Sequence, residues 1–219
     1  MEGQKRDSMR ILSEQQDVLL KDERKLLNNL RVTLANFGAN PEDQQTLGQT
    51  IEQLDELFLL VIVGEFNAGK SAFINALLGE RLLKEGVTPT TTQINIIRYG
   101  EQPERQVVSE HQHVLALPVD LLADISIVDT PGTNAIMREH EAITSQFVPR
   151  SDLVLFITSA DRPFTESERV FLSAIRDWGK KVVFVVNKID ILQTGEDRAQ
   201  VVDFVTQNAR ELLGVAPET

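Results

Sequence analysis

The chain opens on two stretches whose apolar residues recur at helical spacing. Over residues 8–36, Leu12, Leu19 and Leu26 stand seven apart, and Val18, Leu27, Leu30 and Leu34 widen the stripe. Phe37-Gly38-Ala39-Asn40-Pro41 ends this helix, because glycine takes the left-handed cap and proline can begin a helix but not continue one. A second amphipathic stretch carries Leu47, Ile51, Leu54 and Phe58 on one face. Two helices with one apolar stripe each need a surface to pack on, so residues 1–57 read as an N-terminal helical segment of a bundle or neck.

The rhythm then changes. Leu59-Leu60-Val61-Ile62-Val63 is an unbroken apolar run, as a strand buried on both faces requires. A glycine-bearing loop and a helix at 70–78 follow. Further strands are predicted at 94–98, 125–128, 153–158 and 182–186, and helices at 137–147, 165–178 and 197–213. Residues 100–118 read as polar and irregular, with a short strand at 106–108 at most. Thr165 and Glu168 make a capping-box pattern ahead of Val170, Phe171, Ala174 and Ile175, and Trp178-Gly179 should close that helix and pack it on the sheet. Alternating strands and helices predict an α/β fold over residues 58–219, a mostly parallel doubly wound sheet.

Composition narrows the chemistry. The 22 basic residues stand against 33 acidic ones, a net charge of −11. That balance argues against nucleic acid as a partner and against spontaneous docking on an anionic membrane. There is no cysteine, hence no disulfide and no thiolate chemistry. His111, His113 and His140 are too scattered for a zinc site, and the first two read as solvated loop residues. The apolar run Leu57 to Val63 is far shorter than a membrane span, and the opening MEGQKRDSMR lacks the apolar core of a signal peptide, so the segment reads as soluble.

The first predicted strand runs into Gly64-Glu65-Phe66-Asn67-Ala68-Gly69-Lys70-Ser71, a full GxxxxGK[ST] pattern between a strand and a helix. The glycines let the backbone wrap a phosphate, and the amides and the helix start with Ala72 add positive potential. Lys70 can bridge the β- and γ-phosphates, and the Ser71 hydroxyl can ligate Mg²⁺. The strand at 125–128 ends in Asp129-Thr130-Pro131-Gly132. Asp129 suits a water-mediated Mg²⁺ contact, and the Gly132 amide suits the γ-phosphate. Between them, Gly86-Val87-Thr88-Pro89-Thr90-Thr91-Thr92 offers a hydroxyl from one of its last three threonines to complete the Mg²⁺ shell. The strand at 182–186 ends in Asn187-Lys188-Ile189-Asp190. The Asp190 carboxylate can accept from the N1–H and 2-amino group of guanine together, a donor pair that adenine lacks. The Lys188 stem can lie on the purine face, and Asn187 can tie this loop to the phosphate loop.

GEFNAGKS, GVTPTTT, DTPGTNAI, SDLVLFITSADRPFTESE and VVFVVNKIDIL together resemble bacterial dynamin-like GTPases, notably the cyanobacterial and chloroplast members related to mitofusins. The resemblance covers roughly Leu59 to Gly214 and suits the leading helices, which in that family join later helices in a stalk. It implies a P-loop GTPase with Lys70 and Ser71 as phosphate-loop lysine and Mg²⁺ hydroxyl. Thr91 matches the switch threonine best, Asp129 and Gly132 the second switch, and Asn187, Lys188 and Asp190 the base motif. It further implies GTP hydrolysis stimulated by homodimerisation of GTPase domains, and membrane remodelling, either fusion or fission, through lipid-binding regions outside this chain. The setting it implies is the cytoplasmic side of a bacterial, cyanobacterial membrane.

Two departures stand out. Small GTPases place a glutamine just after the DxxG motif to orient water, and Thr133 stands there. Asn67 occupies the place where potassium-activated GTPases also carry asparagine, so its amide oxygen is a candidate ligand for K⁺ or another monovalent cation. The last strand of the GTPase fold is not recognisable before Thr219, so the domain reads as C-terminally incomplete, with a free sheet edge. An RNA-modification or ribosome-assembly GTPase would share these motifs but carry a basic extension in place of two acidic helices. A nucleotide-binding scaffold without turnover is the third reading, and the intact Lys70, Ser71 and Asp129 speak against it.

Overall fold

A computed structural model describes residues 13–53, 58–83, 93–131 and 143–214. The chain forms two units, Met1–Leu57 and Phe58–Thr219. In the first, α1 (Glu14–Asn36) starts from a capping box in which the Gln16 side chain accepts from Ser13 N at 2.9 Å. Gly38 adopts φ +69°, and Ala39 N then donates to Leu34 O at 3.0 Å, closing the helix. Asn40 Oδ1 accepts from Glu42 N and opens α2 (Pro41–Gln53). Leu27 and Leu34 are half-buried, but Leu19 and Leu26 of the expected stripe are 67% and 68% exposed. Of the face expected on the second helix, Ile51 is buried and Leu47 half-buried, while Leu54 lies outside the described residues and Phe58 lies outside α2.

The second unit is built on seven strands: β1 (Leu59–Val63), β2 (Ile94–Tyr99), β3 (Glu104–Ser109), β4 (Gln112–Leu117), β5 (Ser126–Asp129), β6 (Leu153–Ser159) and β7 (Val182–Asn187). They lie in the order β3-β4-β2-β5-β1-β6-β7. The pairs β5–β1, β1–β6, β6–β7 and β2–β4 are parallel, whereas β2–β5 and β3–β4 are antiparallel. The sheet is therefore mostly parallel, with an antiparallel turn of direction at β2. Residues 100–118 are not irregular: they form the β3–β4 hairpin. Every residue of β3 is exposed, so it lacks the apolar face that marks a strand in sequence. His113 lies in β4, 5% exposed, and its Nδ1 accepts from Arg105 Nη2 at 2.7 Å; it is not a solvated loop residue.

β1 shows why the centre of the sheet is robust. Leu59, Val61 and Val63 join one apolar cluster with Val128, Phe156, Phe171, Leu172 and Val205. Leu60 and Ile62 join the other with Ile74, Ile97, Ile127 and Ile157. Alternate residues thus serve opposite faces, and each such burial contributes about 1.5–3 kcal/mol. Ile74 belongs to α3 (Lys70–Leu78), on one face. On the other face lie α4 (Glu166–Arg176) and α5 (Gly195–Leu213).

The inner stripe of α4 is Glu168, Phe171, Leu172 and Ile175; Val170 is 61% exposed and Ala174 is exposed as well, so the expected stripe is rotated. Gly179 at φ +60° does close α4, its N donating to Arg176 O, but Trp178 is 47% exposed and does not pack on the sheet. Of the helix expected at 137–147, only Ile143–Phe147 is described, as a π-helical turn running into a 3-10 turn at Val148–Arg150.

Candidate functional site

The loop after β1 is shaped by two glycines. Gly64 sits at φ +149°, and a Cβ there would overlap the Ile157 carbonyl of β6. Gly69 sits at φ +90°, and a Cβ there would overlap Asn187 Nδ2. No other residue fits either place without moving backbone or breaking a contact. Between them Phe66–Ala68 makes one 3-10 turn, and Ala68 N donates to Glu65 O at 3.1 Å. α3 begins directly at Lys70, so its first amides face the loop.

Lys70 is 5% exposed, and its Nζ donates to Gly64 O and Glu65 O at 2.9 Å each. Two of the three ammonium hydrogens are thus spent on aiming the side chain, leaving one for a phosphate oxygen. Burial lowers the Lys70 pKa to about 8, opposed by Asp129, Glu168 and Glu65. Asp129 ends β5 beside β1, in register with Ile62. It is 1% exposed, and neither carboxylate oxygen has a hydrogen-bond partner among the described residues. Burial pushes its carboxyl up to about 6, opposed by Lys70 and by Asn95 across the β2–β5 pair. Next to it, Thr130 Oγ1 donates to Ile62 O at 2.8 Å, pinning the start of this loop to β1.

From β7, Asn187 Nδ2 donates to Ala68 O at 2.8 Å, the tie expected between the base and phosphate loops. Ala160 N donates to Asn187 O, so the loop after β6 joins the same arrangement. Lys188 adopts φ +58°, turning the chain into the 3-10 turn Ile189–Ile191, where Asp190 is exposed. Ser71 and Phe66 are half-buried, while Asn67 and Ala72 are exposed. Residues 64–72, Asp129 and Asn187 are therefore gathered at the strand ends, with Lys188 and Asp190 on the adjoining loop. Thr91 and Gly132 lie outside the described residues, as does the rest of the threonine loop.

Sequence reasoning missed a second layer. Glu168 is 1% exposed; its Oε2 accepts from Thr165 N at 3.0 Å and from Thr158 Oγ1 at 3.1 Å, and burial holds its carboxyl above the usual range. Glu65 Oε1 accepts from Thr165 Oγ1 and Ser167 Oγ. The capping-box spacing was the available signal for Glu168, but not for its burial beside the phosphate loop.

A buried carboxylate with two unsatisfied oxygens fits a hard divalent cation. Among the described residues no group of three carboxylate or histidine side chains converges that could hold a metal by itself. The model of a family described as 50S ribosome-binding GTPase matches residues 59–188, from β1 to the base motif. The chain belongs to this GTPase family.

A probable transmembrane GTPase, FZO-like, of Arabidopsis thaliana chloroplasts is 44% identical to this GTPase over 207 residues, 92% of this chain and 23% of that protein. The tRNA modification GTPase MnmE of Geobacter sulfurreducens is 30% identical over 153 residues, 67% of this chain and 30% of that protein. A solved bacterial dynamin, from an oligomerised pair, shares the fold with a TM-score of 0.62 at 20% identity, over 93% of this chain and 37% of its own. The identity to the chloroplast FZO-like protein is the higher of the two and spans 92% of this chain against 67% for MnmE. The chain spans under a third of the length of either curated relative. Among the described residues no helix is long and apolar enough to cross a membrane.

Proposed function

We propose that this chain binds GTP with Mg²⁺ and hydrolyses it to GDP and phosphate, faster when two GTPase domains pair across the nucleotide. Asp129 is the observation that carries the reading. Burying a carboxylate costs several kcal/mol, Lys70 and Asn95 offset that only in part, and a fold keeps such a group where a cation completes its partners. Lys70 then ends the phosphate loop after β1, and Asp129 ends β5, the strand paired with β1, so the two groups bracket one phosphate site.

Water attacks the γ-phosphorus as the bond to the β–γ bridging oxygen breaks, and charge grows on that oxygen. The free Lys70 hydrogen and the loop amides stabilise it there, preorganised in a largely dry setting. Ser71, Thr91 and Asp129 are the residues that would hold Mg²⁺, which would supply further neutralisation of phosphate charge. Gly132 senses the γ-phosphate. Asn187, Lys188 and Asp190 hold guanine. With Thr133 in place of a glutamine, water activation falls to a partner surface, with a monovalent cation on Asn67 as a contributing charge. In the full-length protein this cycle drives membrane remodelling, a role suggested by the likeness to the chloroplast FZO-like GTPase. A role on RNA, suggested by the likeness to MnmE, finds no support in a chain of net charge −11.

The test is GTP turnover over a range of protein concentrations, in K⁺ and in Na⁺, with Lys70→Ala as blank. Specific activity should climb with concentration. Turnover equal to the blank at every concentration would refute the reading, and equal rates in K⁺, in Na⁺ and in a bulky organic cation such as N-methylglucamine would remove the cation from Asn67.

A further inference from the structure

Glu65 is the second residue of the phosphate loop, yet its side chain turns to the start of α4. Oε1 accepts from Thr165 Oγ1 at 2.7 Å and from Ser167 Oγ at 2.8 Å. These are short, charge-assisted bonds, and a carboxylate is favoured at a helix N-terminus. The backbone of the same residue does different work: Glu65 O accepts from Lys70 Nζ and from Ala68 N. One residue thus grips α4 with its side chain and Lys70 with its carbonyl.

The far end of this grip is fixed. Thr165 Oγ1 gives its only proton to Glu65 and accepts from Glu168 N, capping the helix. Glu168 in turn holds Thr165 N and Thr158 Oγ1 of β6. Phe171, Leu172 and Ile175 bury α4 in the core. The loop on the other side is pinned through Asn187 to Ala68. Without the Glu65 side chain, the Gly64–Phe66 stretch would keep its glycine geometry but lose its lateral anchor, and the two carbonyls that aim Lys70 would be freer to shift.

We propose that Glu65, anchored by Thr165 and Ser167, is a positioning residue that sets the aim of Lys70. The proposal rests on the GTPase reading above, and acts on kcat through Lys70 rather than through contact with substrate. A misplacement of about 1 Å in a reacting group can cost up to about a hundredfold. For a carbonyl pair still tethered by Gly64, we expect about tenfold.

The experiment compares full-chain Glu65→Ala, Glu65→Gln, Ser167→Ala and the Glu65→Ala/Ser167→Ala pair with the unsubstituted chain and Lys70→Ala. GTP turnover, release of radiolabelled GDP and the melting midpoint are read for each. Glu65→Ala should lose about tenfold in kcat and release GDP several-fold faster. Glu65→Gln keeps an acceptor oxygen and should stay within about threefold. Ser167→Ala should lose about threefold at an unchanged midpoint, and the pair should be no worse than Glu65→Ala alone, because Ser167 reaches the phosphate loop only through Glu65, its contact with Thr165 Oγ1 at 3.2 Å staying within the start of α4.

Full activity in folded Glu65→Ala, failure of the glutamine to rescue, or losses that multiply in the pair would each overturn the proposal. Should Glu65→Ala not fold, Ser167→Ala decides: unchanged kcat and GDP release would overturn it. Should the unsubstituted chain turn over no faster than Lys70→Ala, the GTPase reading fails, and GDP release alone decides the clamp: a rate unchanged by Glu65→Ala overturns it.

Discussion

Replacing Asp129 by asparagine should stabilise the nucleotide-free domain while removing its response to Mg²⁺. The carboxylate is 1% exposed, with neither oxygen hydrogen-bonded to a described residue. Its pKa rises from 3.8 to about 6 on burial, and that value already contains the help of Lys70. Holding it ionised in the folded chain at neutral pH therefore costs about 3 kcal/mol. An unpaired amide in its place costs about 1–2 kcal/mol, so the net gain is about 1–2 kcal/mol. For a chain of this length that raises the melting midpoint by roughly 2–8 °C.

The sign with pH follows from the direction of the shift. A carboxyl with a raised folded pKa binds its proton more tightly when folded. Its ionisation therefore erodes stability as pH climbs from about 4 to about 6, and the loss is complete above that. The asparagine variant should lack this slope. Urea unfolding followed by circular dichroism at pH 4.5 and 7.5, in chelator, measures both effects. Adding Mg²⁺ with a non-hydrolysable GTP analogue should then raise the midpoint of the unsubstituted chain and not of the variant. A variant less stable at pH 7.5, or one with the same loss between the two pH values, would refute the reasoning.

Three other substitutions probe separate parts of the site. Gly69→Ala must place a Cβ against Asn187 Nδ2 at φ +90°, so strain and a lost bond, about 2–3 kcal/mol together, should weaken GDP binding by about 30- to 150-fold by equilibrium dialysis. Asp190→Ala should leave phosphate-loop function in place but make ATP compete with GTP, read as the ratio of inhibition constants against labelled GDP; unchanged discrimination would remove Asp190 from base reading. Glu168→Ala strands Thr165 N and Thr158 Oγ1 in the interior and should cost about 1–3 kcal/mol in urea unfolding; a neutral result would mean that the buried charge cancels the bonds it accepts.

What could be read in advance follows from range. β1, β5, β6 and β7 are short apolar runs whose signal is local, and the polar residues at their carboxyl ends are fixed by chain continuity. The Thr165–Glu168 capping box and the glycine stop at Gly38 are local too. Of the β3–β4 hairpin only a short strand at 106–108 was legible, inside β3; β3 faces solvent along its whole length, and β4 mixes polar Gln112 and His113 with its apolar residues, so neither carries a clear apolar period. The reversal of β2 against β5 is a choice of connection, and no residue within β2 encodes it. His113 reads as solvated and Glu168 as a helix cap only, yet their partners Arg105, Thr158 and Thr165 let both be buried. Glu65 shows the same limit at the site itself: its partners lie 100 and 102 residues away in sequence.

The position of β1 between β5 and β6 has a consequence for how the domain breathes. Its amides are covered on both sides, whereas β3 and β7 end the described sheet. Amide hydrogens of β1 should therefore exchange with solvent only when the whole unit opens, and those of the exposed strand β3 by local fraying. The phosphate loop hangs directly from this slowest-exchanging strand, so local opening elsewhere in the sheet would leave the grip on phosphate in place until the unit opens as a whole.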